Sequence, residues 1–432
     1  MKSNGKIALI ACLTQKNWYS FAPLLATLEI ENLNQKYDTF ILKKRTNSEI
    51  SRIMNHFETV IFAYSFYTHD TPGIAAEINR ITENFPHKKI ILIAGGPHAS
   101  GNPHQTLRLG FDLVVKGEGE IAFPILLDHI WRNEPYSEIE GICYKSQNEI
   151  YLSDQSHLIN LEKYPTFSSR FNLYPPIEIT RGCPFGCKYC EVSYLFGRTM
   201  RHRSIATIVK IVKEYQKIFS GKRSTDIRFI SPNSLAYGSN DGITPNPAKI
   251  NQLLKTIHEL GKDNLRIFFS TFPSETRPEF ITPSILEKIT PFISNEYIAF
   301  GGQSGSDRIL KQIGRDHTVE NIRNAATTIL DANLIPLIDF LLGLPGEEVT
   351  DQYQTLDLIK ELIRQKAKIR IHYFMPLAGT PFEKASPAPL EPTILSELGR
   401  LAKKGHVEGN LDTQIRNSKR IQKFLESQNK IN

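Results

Sequence analysis

The chain has 432 residues, of which 40% are hydrophobic and 22% are charged, and its formal net charge is +7. This composition is ordinary for a globular protein, and the length suggests two to three domains. No apolar stretch approaches the ~18 residues that span a bilayer, which argues against a membrane protein. Eight Lys or Arg and three acidic residues lie in 400–432, which favours a solvated helix face there over a nucleic-acid-binding patch.

Five cysteines are present, and three of them lie in one short motif. This usage argues for a reducing compartment rather than a disulfide framework. The other two, Cys12 and Cys143, are most simply buried thiols. We therefore expect a cytoplasmic protein.

Residues 1–125 alternate short apolar runs with helical stretches such as 21–34 and 73–85. Five buried strands separated by helices predict a doubly wound parallel sheet. Such a sheet binds ligands at the carboxyl ends of its strands, near the switch in strand order. The predicted strands are Lys6–Leu13, Thr39–Lys43, Thr59–Ser65, Lys89–Ala94 and Phe111–Lys116.

Three of these strands end in unusual loops, at 65–69, 95–101 and 117–120. Glycine pairs in such loops let the backbone approach a ligand closely. The candidate ligand contacts from these loops are Ser65, Tyr67, Gly95, Gly96, Pro97, Gly117 and Glu118. Beyond them, Glu138–Lys145 and Glu149–Leu152 flank a polar turn and predict a hairpin, which we assign to a linker.

The segment Thr180–Cys190 carries three cysteines, Cys183, Cys187 and Cys190, at the spacing C-x3-C-x2-C. Its glycines and proline favour a tight loop in which three thiolates converge, and a short predicted strand precedes it. A closed zinc site and an Fe–S cluster both usually take four protein ligands, and Cys190 is the last cysteine of the chain. Three ligands leave one metal position open. The alternatives are a zinc site whose fourth ligand is a nearby histidine, and a disulfide that leaves one thiol free.

At these residues the sequence resembles the radical S-adenosylmethionine (radical SAM) superfamily, whose loop has the same spacing and an aromatic residue where Tyr189 stands here. The resemblance implies a 4Fe–4S cluster whose open iron binds SAM, and an enzyme that cleaves SAM to methionine and a 5′-deoxyadenosyl radical. It also implies an open, partial (β/α)6 version of the TIM barrel. Strand-like runs agree with this fold, at 177–179, 226–230, 265–270, 297–301, 336–342 and 369–375.

Barrel enzymes place their catalytic residues at the carboxyl ends of the strands, so we expect the SAM site there. The superfamily often has a Gly-Gly-Glu after the second strand; here Ser231 and Asn233 could bond the same amino group of SAM. Glu275 and Arg277 follow the third strand and could meet the SAM carboxylate or the substrate. The predicted contacts to SAM and the cluster mouth are Tyr189, Ser231, Asn233, Gln303, Ser304, Asp339 and Gly343. No catalytic side chain is assigned.

The N-terminal loops resemble the cobalamin (vitamin B12)-binding domain that precedes many radical SAM domains. That family has Ser-x-Leu after the third strand and Gly-Gly after the fourth, and here Ser65-x-Tyr67 stands before Gly95-Gly96. The family's Asp-x-His-x-x-Gly loop after the first strand is missing, because 14–23 contains no histidine. The resemblance implies bound cobalamin, and we expect no protein histidine on cobalt. The histidines weighed for that role are His69, His98 and His104. A cobalamin-free Rossmann-like module is the alternative.

The predicted order is a cobalamin-binding domain at 1–130, a linker at 131–170, a radical SAM partial barrel at 171–383 and a helical tail at 384–432. The resemblance implies a cobalamin-dependent enzyme that methylates an unactivated carbon of a small molecule or peptide. Rearrangement or cyclisation with the same cofactors, RNA modification without cobalamin, and a non-catalytic metal- and corrinoid-binding module are the alternatives. An electron donor such as flavodoxin or ferredoxin is the expected partner, with no membrane and no nucleic acid.

Overall fold

The computed structural model describes residues 7–147, 149–154, 157–221, 223–261 and 264–429. Lys6, Asn148 and Lys430, which belong to the predicted first strand, hairpin turn and basic tail, lie outside these ranges. The chain divides into two compact units. Unit 1 holds the described residues up to Pro175, together with Leu377–Thr380 and those from Arg420 onward, and unit 2 holds the rest.

Unit 1 is a seven-stranded sheet in the order β2-β1-β3-β4-β5-β6-β7, whose first five strands are parallel. The strands are β1 Ile7–Cys12, β2 Tyr37–Leu42, β3 Thr59–Ser65, β4 Lys89–Gly95, β5 Leu113–Val115, β6 Ile142–Ser146 and β7 Glu149–Tyr151. The helices are α1 Trp18–Ile30, α2 Asn47–Met54, α3 Thr71–Asn84, α4 Gly96–Gly101, α5 Pro103–Arg108 and α6 Gly119–Arg132. Each of the five predicted strands is present, which confirms the doubly wound sheet.

Both faces of this sheet are buried, as the unbroken apolar run of β1 predicts. Ile7, Leu9 and Ala11 join one apolar core, whereas the alternate residues Ala8 and Ile10 join the other. The strand order reverses between β1 and β3. Parallel sheets bind ligands at this switch point, so the loops that follow β1 and β3 mark the ligand edge of unit 1.

The predicted hairpin forms, but it does not lie in a linker. β6 pairs antiparallel with β5, and β7 with β6, so the hairpin completes the edge of the sheet. Cys143 is fully buried within β6. The reason is that β5 would otherwise leave its backbone groups unpaired at an exposed edge.

Unit 2 contains two sheets of parallel strands in the orders β12-β11-β8 and β13-β14-β15-β16, and a short antiparallel pair, β9 with β10. The strands are β8 Ile177–Glu178, β9 Thr180–Arg181, β10 Arg201–His202, β11 Thr225–Ile230, β12 Leu265–Phe268, β13 Tyr297–Gln303, β14 Ile335–Leu342, β15 Lys368–Tyr373 and β16 Val407–Glu408. The helices are α7 Val192–Leu195, α8 Ile205–Ile218, α9 Pro247–Glu259, α10 Pro283–Ile289, α11 Asp307–Gln312, α12 Val319–Asp331, α13 Val349–Arg364, α14 Pro392–Lys403 and α15 Leu411–Asn429.

The segment that follows β12 joins the two sheets. Thr276 forms a parallel bridge with Phe300, and the Ala299 amide donates to the Ser270 carbonyl at 2.8 Å. The six predicted strands therefore follow one another as an open (β/α)6 arrangement, which confirms the predicted fold class. The tail is not wholly helical, because β16 adds a further strand beside β15.

The two faces of the β13–β15 sheet differ in chemistry. Ile338 and Phe340 of β14 are fully buried, whereas the intervening Asp339 lies in register with Arg370 of β15 and forms ion pairs. Period-two alternation explains this difference, since neighbouring side chains of a strand point to opposite faces. None of the helices in the described part of the chain is long and apolar enough to cross a membrane.

Candidate active site

The three cysteines lie on the loop between β9 and α7. Gly182 opens the loop with φ +88°, and a Cβ at this position would overlap the Thr199 carbonyl. The Cys183 amide donates to the Gly197 carbonyl at 3.1 Å. The β9–β10 pair and these contacts close the loop on one side, as the glycine in the motif predicts.

The other side of the loop is held by the segment after α11. The Lys188 amide donates to the Ile313 carbonyl at 2.9 Å, and the Phe382 amide donates to the Lys188 carbonyl at 3.3 Å. Gly314, at φ +74°, brings its backbone against the Gly186 carbonyl, where an added Cβ would lie 3.0 Å from the oxygen. The cysteine loop is thus fixed by backbone contacts from both sides.

Of the three cysteines, Cys187 is buried, whereas Cys183 and Cys190 are half-buried. Burial raises the pKa of Cys190 to about 12, and neighbouring Cys187 and Cys183 raise it further. Burial also raises the pKa of Cys183. Within the described ranges, no three His, Cys, Asp or Glu side chains converge on one metal ion. A four-iron cluster does not need such convergence, because each cysteine binds a different iron, so the donor set fits a cluster.

Two arginines direct their guanidinium groups at Cys187. Arg277 Nη1 lies 3.8 Å and Arg315 Nη1 lies 3.9 Å from the Cys187 sulfur. Arg277 is 4% exposed, and its guanidinium lies 3.5 Å from the ring centroid of Phe185 inside the cysteine motif. Positive charge therefore lies beside a sulfur that would carry negative charge as a ligand.

Residues 274–277 connect the rest of the site to the cysteine loop. The Ser274 hydroxyl donates to the Ser231 carbonyl at 3.5 Å, Glu275 pairs with Arg370 at 2.5 Å, and Thr276 Oγ1 donates to Asn233 Oδ1 at 2.6 Å. The next residue along is Arg277. One short segment thus connects the end of β11 and Arg370 of β15 with Arg277, which reaches Cys187.

Asn233 and Ser231, both predicted to contact SAM, have different environments. The Ser231 hydroxyl donates to the Asn233 carbonyl at 2.9 Å, so it closes its own turn. Asn233 is fully buried, and its Nδ2 has no hydrogen-bond partner. Exchanging the amide nitrogen and oxygen would leave the oxygen without one instead. A buried amide group with a free valence fits a ligand contact.

Gln303 ends β13 and Ser304 follows it, and the two side chains have different environments. Gln303 has φ +71° at an irregularity of the β13–β14 register, and its side-chain amide lies against Gly301, whose carbonyl accepts from Arg315 at 2.7 Å. Ser304 is fully buried, and its hydroxyl accepts from the Ser306 amide at 3.2 Å. Ser304 therefore braces the start of α11.

Asp339 is engaged by protein groups on both carboxylate oxygens. Arg370 donates to each oxygen at 2.6 Å, and His372 Nε2 lies 3.6 Å away. Burial opposes ionisation, but the hydrogen bonds from His372 and Arg370 outweigh it and lower the pKa of Asp339. The carboxylate thus holds Arg370 between itself and Glu275.

The segment after β14 packs against the cysteine loop. Leu344 is fully buried in an apolar cluster that includes Tyr189, the aromatic residue of the cysteine motif. Gly343 has φ +72°, and its amide donates to Glu347 Oε2 at 2.7 Å. Burial raises the pKa of Glu347 to about 7, and its second oxygen has no hydrogen-bond partner. The sequence did not single out Glu347, although a carboxyl after a glycine turn is a visible signal.

The basic residues that follow the cysteine motif in sequence have structural partners. Arg203 pairs with Glu178 at 3.5 Å, Arg201 donates to the Phe196 carbonyl at 3.0 Å, and His202 bonds the Thr180 hydroxyl at 2.8 Å. They brace β8–β10. Arg198 lies against Gly186 of the cysteine loop. The arginines directed at the Cys187 sulfur are Arg277, which the sequence indicated as a contact to SAM or the substrate, and Arg315, which it did not indicate.

The ligand edge of unit 1 gathers some of the predicted residues. Tyr67 stacks on His69, with ring centroids 5.6 Å apart, and Lys16 of the first loop donates to His69 Nε2 at 2.6 Å. A Cβ at Gly95 would make only ordinary contacts, the nearest at 3.7 Å. At Gly96, with φ +85°, it would lie 2.5 Å from the Ser65 hydroxyl oxygen. Gly95 therefore tolerates a Cβ, whereas Gly96 is required by the protein itself.

The remaining predicted contacts of unit 1 are used within the fold. Pro97 occupies the first turn of α4. The Gly117 amide donates to the Ser100 hydroxyl at 2.9 Å, and the Glu118 carboxylate accepts from the Ile159 amide at 2.8 Å. Glu118 is 1% exposed.

The three candidate histidines have different environments. His98 is fully buried beside Phe66, with its ring nitrogen 3.1 Å from the Thr68 hydroxyl, so it is a core residue. His104 is exposed. His69 lies at the ligand edge and bonds Lys16. Asn17, which the sequence did not indicate, crosses the switch point by donating to the Cys12 and Ser65 carbonyls at 3.0 and 2.9 Å.

Comparison with known proteins gives matches to both units. A family model described as the Radical SAM superfamily matches residues 177–377. An uncharacterized methyltransferase of Pyrococcus horikoshii is 24% identical over 376 residues, 83% of this chain and 75% of that protein. A putative methylthiotransferase of Methanocaldococcus jannaschii is 28% identical over 261 residues, 58% of this chain and 53% of that protein.

Two solved structures share the fold over most of the chain. TsrM of Kitasatospora setae, a radical S-adenosylmethionine methyltransferase with cobalamin and a 4Fe–4S cluster bound, has a TM-score of 0.65 at 14% identity over 88% of this chain and 77% of that one. OxsB, a cobalamin-dependent S-adenosylmethionine radical enzyme, has a TM-score of 0.65 at 15% identity over 94% and 62%. The chain thus spans less than two thirds of OxsB and of the methylthiotransferase.

The family match covers the strands from β8 to β15 and includes the loop on which Cys183, Cys187 and Cys190 come together. The arginines directed at Cys187 and the amide of Asn233 lie within the same range. The model of the radical SAM superfamily therefore matches the part of the chain that holds these groups, and the chain shares the fold of TsrM and OxsB.

Proposed function

We propose that the chain is a cobalamin-dependent radical SAM enzyme that methylates an unactivated carbon of a small molecule or peptide. The observation that carries the proposal is the presence, in one chain, of a three-cysteine loop and a doubly wound sheet with a switch point between β1 and β3. The methyltransferase relative and the shared fold of TsrM and OxsB support it. When bound, the cluster and SAM supply a 5′-deoxyadenosyl radical, and cobalamin carries the methyl group.

In this proposal the residues of unit 2 bind and orient the cluster and SAM. Cys183, Cys187 and Cys190 would hold three irons and leave the fourth for SAM. The buried amide of Asn233 would bond a polar group of SAM. The apolar cluster of Leu344 and Tyr189 would exclude water from the nucleoside side.

The first test uses anaerobically reconstituted protein. Cys187→Ala should lose the cluster iron and the formation of 5′-deoxyadenosine, because no spare cysteine lies near enough to replace the ligand. Cys143→Ala is the matched control, since Cys143 is a buried thiol of β6. Retention of SAM cleavage in Cys187→Ala would end the assignment. Transfer of a label from the SAM methyl group to the product would separate methylation from rearrangement or cyclisation.

The second test concerns cobalamin in unit 1. Gly96→Val, the obvious variant, would clash with Ser65 and Phe66 whether or not a ligand is present. A Cβ at Gly95 makes only ordinary contacts with the protein, so Gly95→Val adds bulk beside the proposed corrinoid site and should lower corrinoid binding while leaving the unfolding transition unchanged. The control is Gly73→Ala, where an added Cβ meets nothing within 4 Å. Undiminished corrinoid binding by Gly95→Val would contradict the proposed site.

RNA modification is the second candidate, favoured by the similarity to a methylthiotransferase. Methylthiotransferases resemble this chain in the barrel but carry three further cysteines for a second cluster. Here the two cysteines outside the motif, Cys12 and Cys143, are at most 2% exposed. About four irons per chain, rather than eight, would support the first proposal.

The proposal also requires a source of electrons. A flavodoxin or ferredoxin is the class of donor we propose. We propose the cytoplasm as the compartment, because its glutathione and thioredoxin would keep the five free thiols reduced. SAM cleavage that depends on a flavodoxin-type donor would support this partner.

A further inference from the structure

Two buried arginines from different parts of unit 2 reach the same sulfur. Arg277 comes from the segment after β12, and Arg315 comes from the turn after α11. Both place an Nη1 within hydrogen-bonding range of Cys187 Sγ, at 3.8 and 3.9 Å. Cys187 itself is 6% exposed. Backbone hydrogen bonds already hold the cysteine loop in place, so the two arginines at the buried Cys187 thiol are not needed to position it.

Neither guanidinium is free to swing away from the sulfur. Arg277 lies on the Phe185 ring at 3.5 Å, and its Nε pairs with Glu279. Arg315 Nη2 donates to the Gly301 carbonyl at 2.7 Å. Arg277 is therefore fixed by two contacts and Arg315 by one, and each directs a further nitrogen at Cys187.

The local balance of charge favours an anion. Arg277 Nη2 and Arg315 Nε are buried without a hydrogen-bond partner. Glu279 is the carboxylate that pairs with Arg277, and His317 nearby is kept neutral because burial, Arg315 and Arg277 lower its pKa to about 2. Positive charge therefore remains on the protein side of Cys187.

Hydrogen bonds to the sulfurs and nearby charge are known to set the reduction potential of Fe–S clusters. A reduced cluster is one unit more negative, so cations that donate to a ligating sulfur stabilise it more than the oxidised cluster. We propose that Arg277 and Arg315 raise the reduction potential of the cluster through the Cys187 sulfur, and so ease entry of the electron from a flavodoxin- or ferredoxin-type donor. This inference rests on the proposed function, since it needs the cluster.

The test is a redox titration of the reconstituted protein, followed by electron paramagnetic resonance of the reduced cluster. Arg315→Gln and Arg277→Gln should each shift the midpoint to lower potential, and the double variant should shift it further. Arg315→Lys, which keeps the charge but not the planar fork, should shift it less than Arg315→Gln. The matched control is Arg323→Gln, because Arg323 pairs with Glu361 on the helices and is 41% exposed.

Iron content separates failure of this inference from failure of the proposed function. A parent protein that binds no cluster would overturn the function, and with it the inference. A loaded Arg315→Gln variant with the midpoint of the parent would overturn the inference alone. Weaker SAM binding by this variant at an unchanged midpoint potential would also overturn the inference, because it would show that the arginines contact SAM. If Arg277→Gln fails to load, the Arg315 variants decide. Loss of iron in both Arg315→Gln and Arg315→Lys would show that Arg315 has a structural role, and it would overturn the inference.

Discussion

Asp339 shows how a residue predicted from its position can have a different role. It lies within β14, in register with Arg370 of β15, and both of its oxygens accept from Arg370. Removing one partner of a largely buried ion pair leaves the other charge uncompensated. Its contribution to the site is therefore to fix Arg370 and, through it, Glu275.

Asp339→Ala should lower the free energy of unfolding by about 2 kcal/mol, less than for a fully buried pair because Glu275 still meets Arg370. Iron content should stay near that of the parent, and SAM cleavage should weaken. Asp226→Ala is the control, since the Asp226–Arg266 pair also joins neighbouring strands but is more exposed. This change should lower the free energy of unfolding by less than about 1 kcal/mol. Denaturant unfolding measures both, and equal losses would contradict the assigned role.

His98 gives a prediction about pH. Burial lowers its pKa to about 4, so the ring is neutral in the folded protein, whereas an unfolded chain protonates near 6.5. The stability due to the neutral ring is complete above pH 6.5 and is lost as the pH falls toward 4, at about 1.4 kcal/mol per unit. His98→Gln should lose this dependence, and His104→Gln, at an exposed site, should keep it.

Denaturation at several pH values between 7 and 5 measures this difference. Parallel pH profiles for the parent and His98→Gln would show that His98 does not titrate as its burial indicates. The same burial removes His98 from consideration as a cobalt ligand. His69, with its Lys16 contact at the ligand edge, is the histidine that an axial-nitrogen splitting in cob(II)alamin would implicate.

At the scale of elements, the cysteine loop depends on Gly182. Gly182→Ala should prevent iron binding while retaining the helix and strand content, because a Cβ there would overlap the Thr199 carbonyl and the φ of +88° is strained for alanine. Gly399 lies on α14, where an added Cβ would meet nothing within 4 Å. Gly399→Ala should therefore raise the free energy of unfolding by about 0.5–1 kcal/mol. Iron content and circular dichroism measure the outcome. Full iron binding by Gly182→Ala would show that the loop tolerates the displacement.

The strands could be predicted from sequence because their alternation and apolar runs are local patterns. β3, at Thr59–Ser65, was predicted with its observed bounds. Arg315 could not be predicted, because its contact with Cys187 joins residues 128 positions apart and depends on how α11 meets the cysteine loop. The linker assignment of the hairpin was wrong for a related reason, since the pairing of β6 with β5 is a tertiary choice.

At the scale of the whole molecule, unit 1 is not continuous in sequence. The Ala378 amide donates to the Thr68 hydroxyl at 3.2 Å, and Gly379 lies against Gly101 so closely that neither position has room for a Cβ. Phe424 of α15 packs on the apolar core that β1 and β3 share. The fold of unit 1 therefore includes pieces from the far end of the chain.

This discontinuity has a consequence for the order of folding during synthesis. Residues up to 175 leave the ribosome first, but they cannot bury their last apolar surface until about 250 further residues have been made. A chain truncated after Lys419 should therefore unfold at lower denaturant in unit 1 and bind a hydrophobic dye, while still loading iron at the cysteine loop. Undiminished stability of that truncated chain would show that unit 1 completes its fold before the chain is finished.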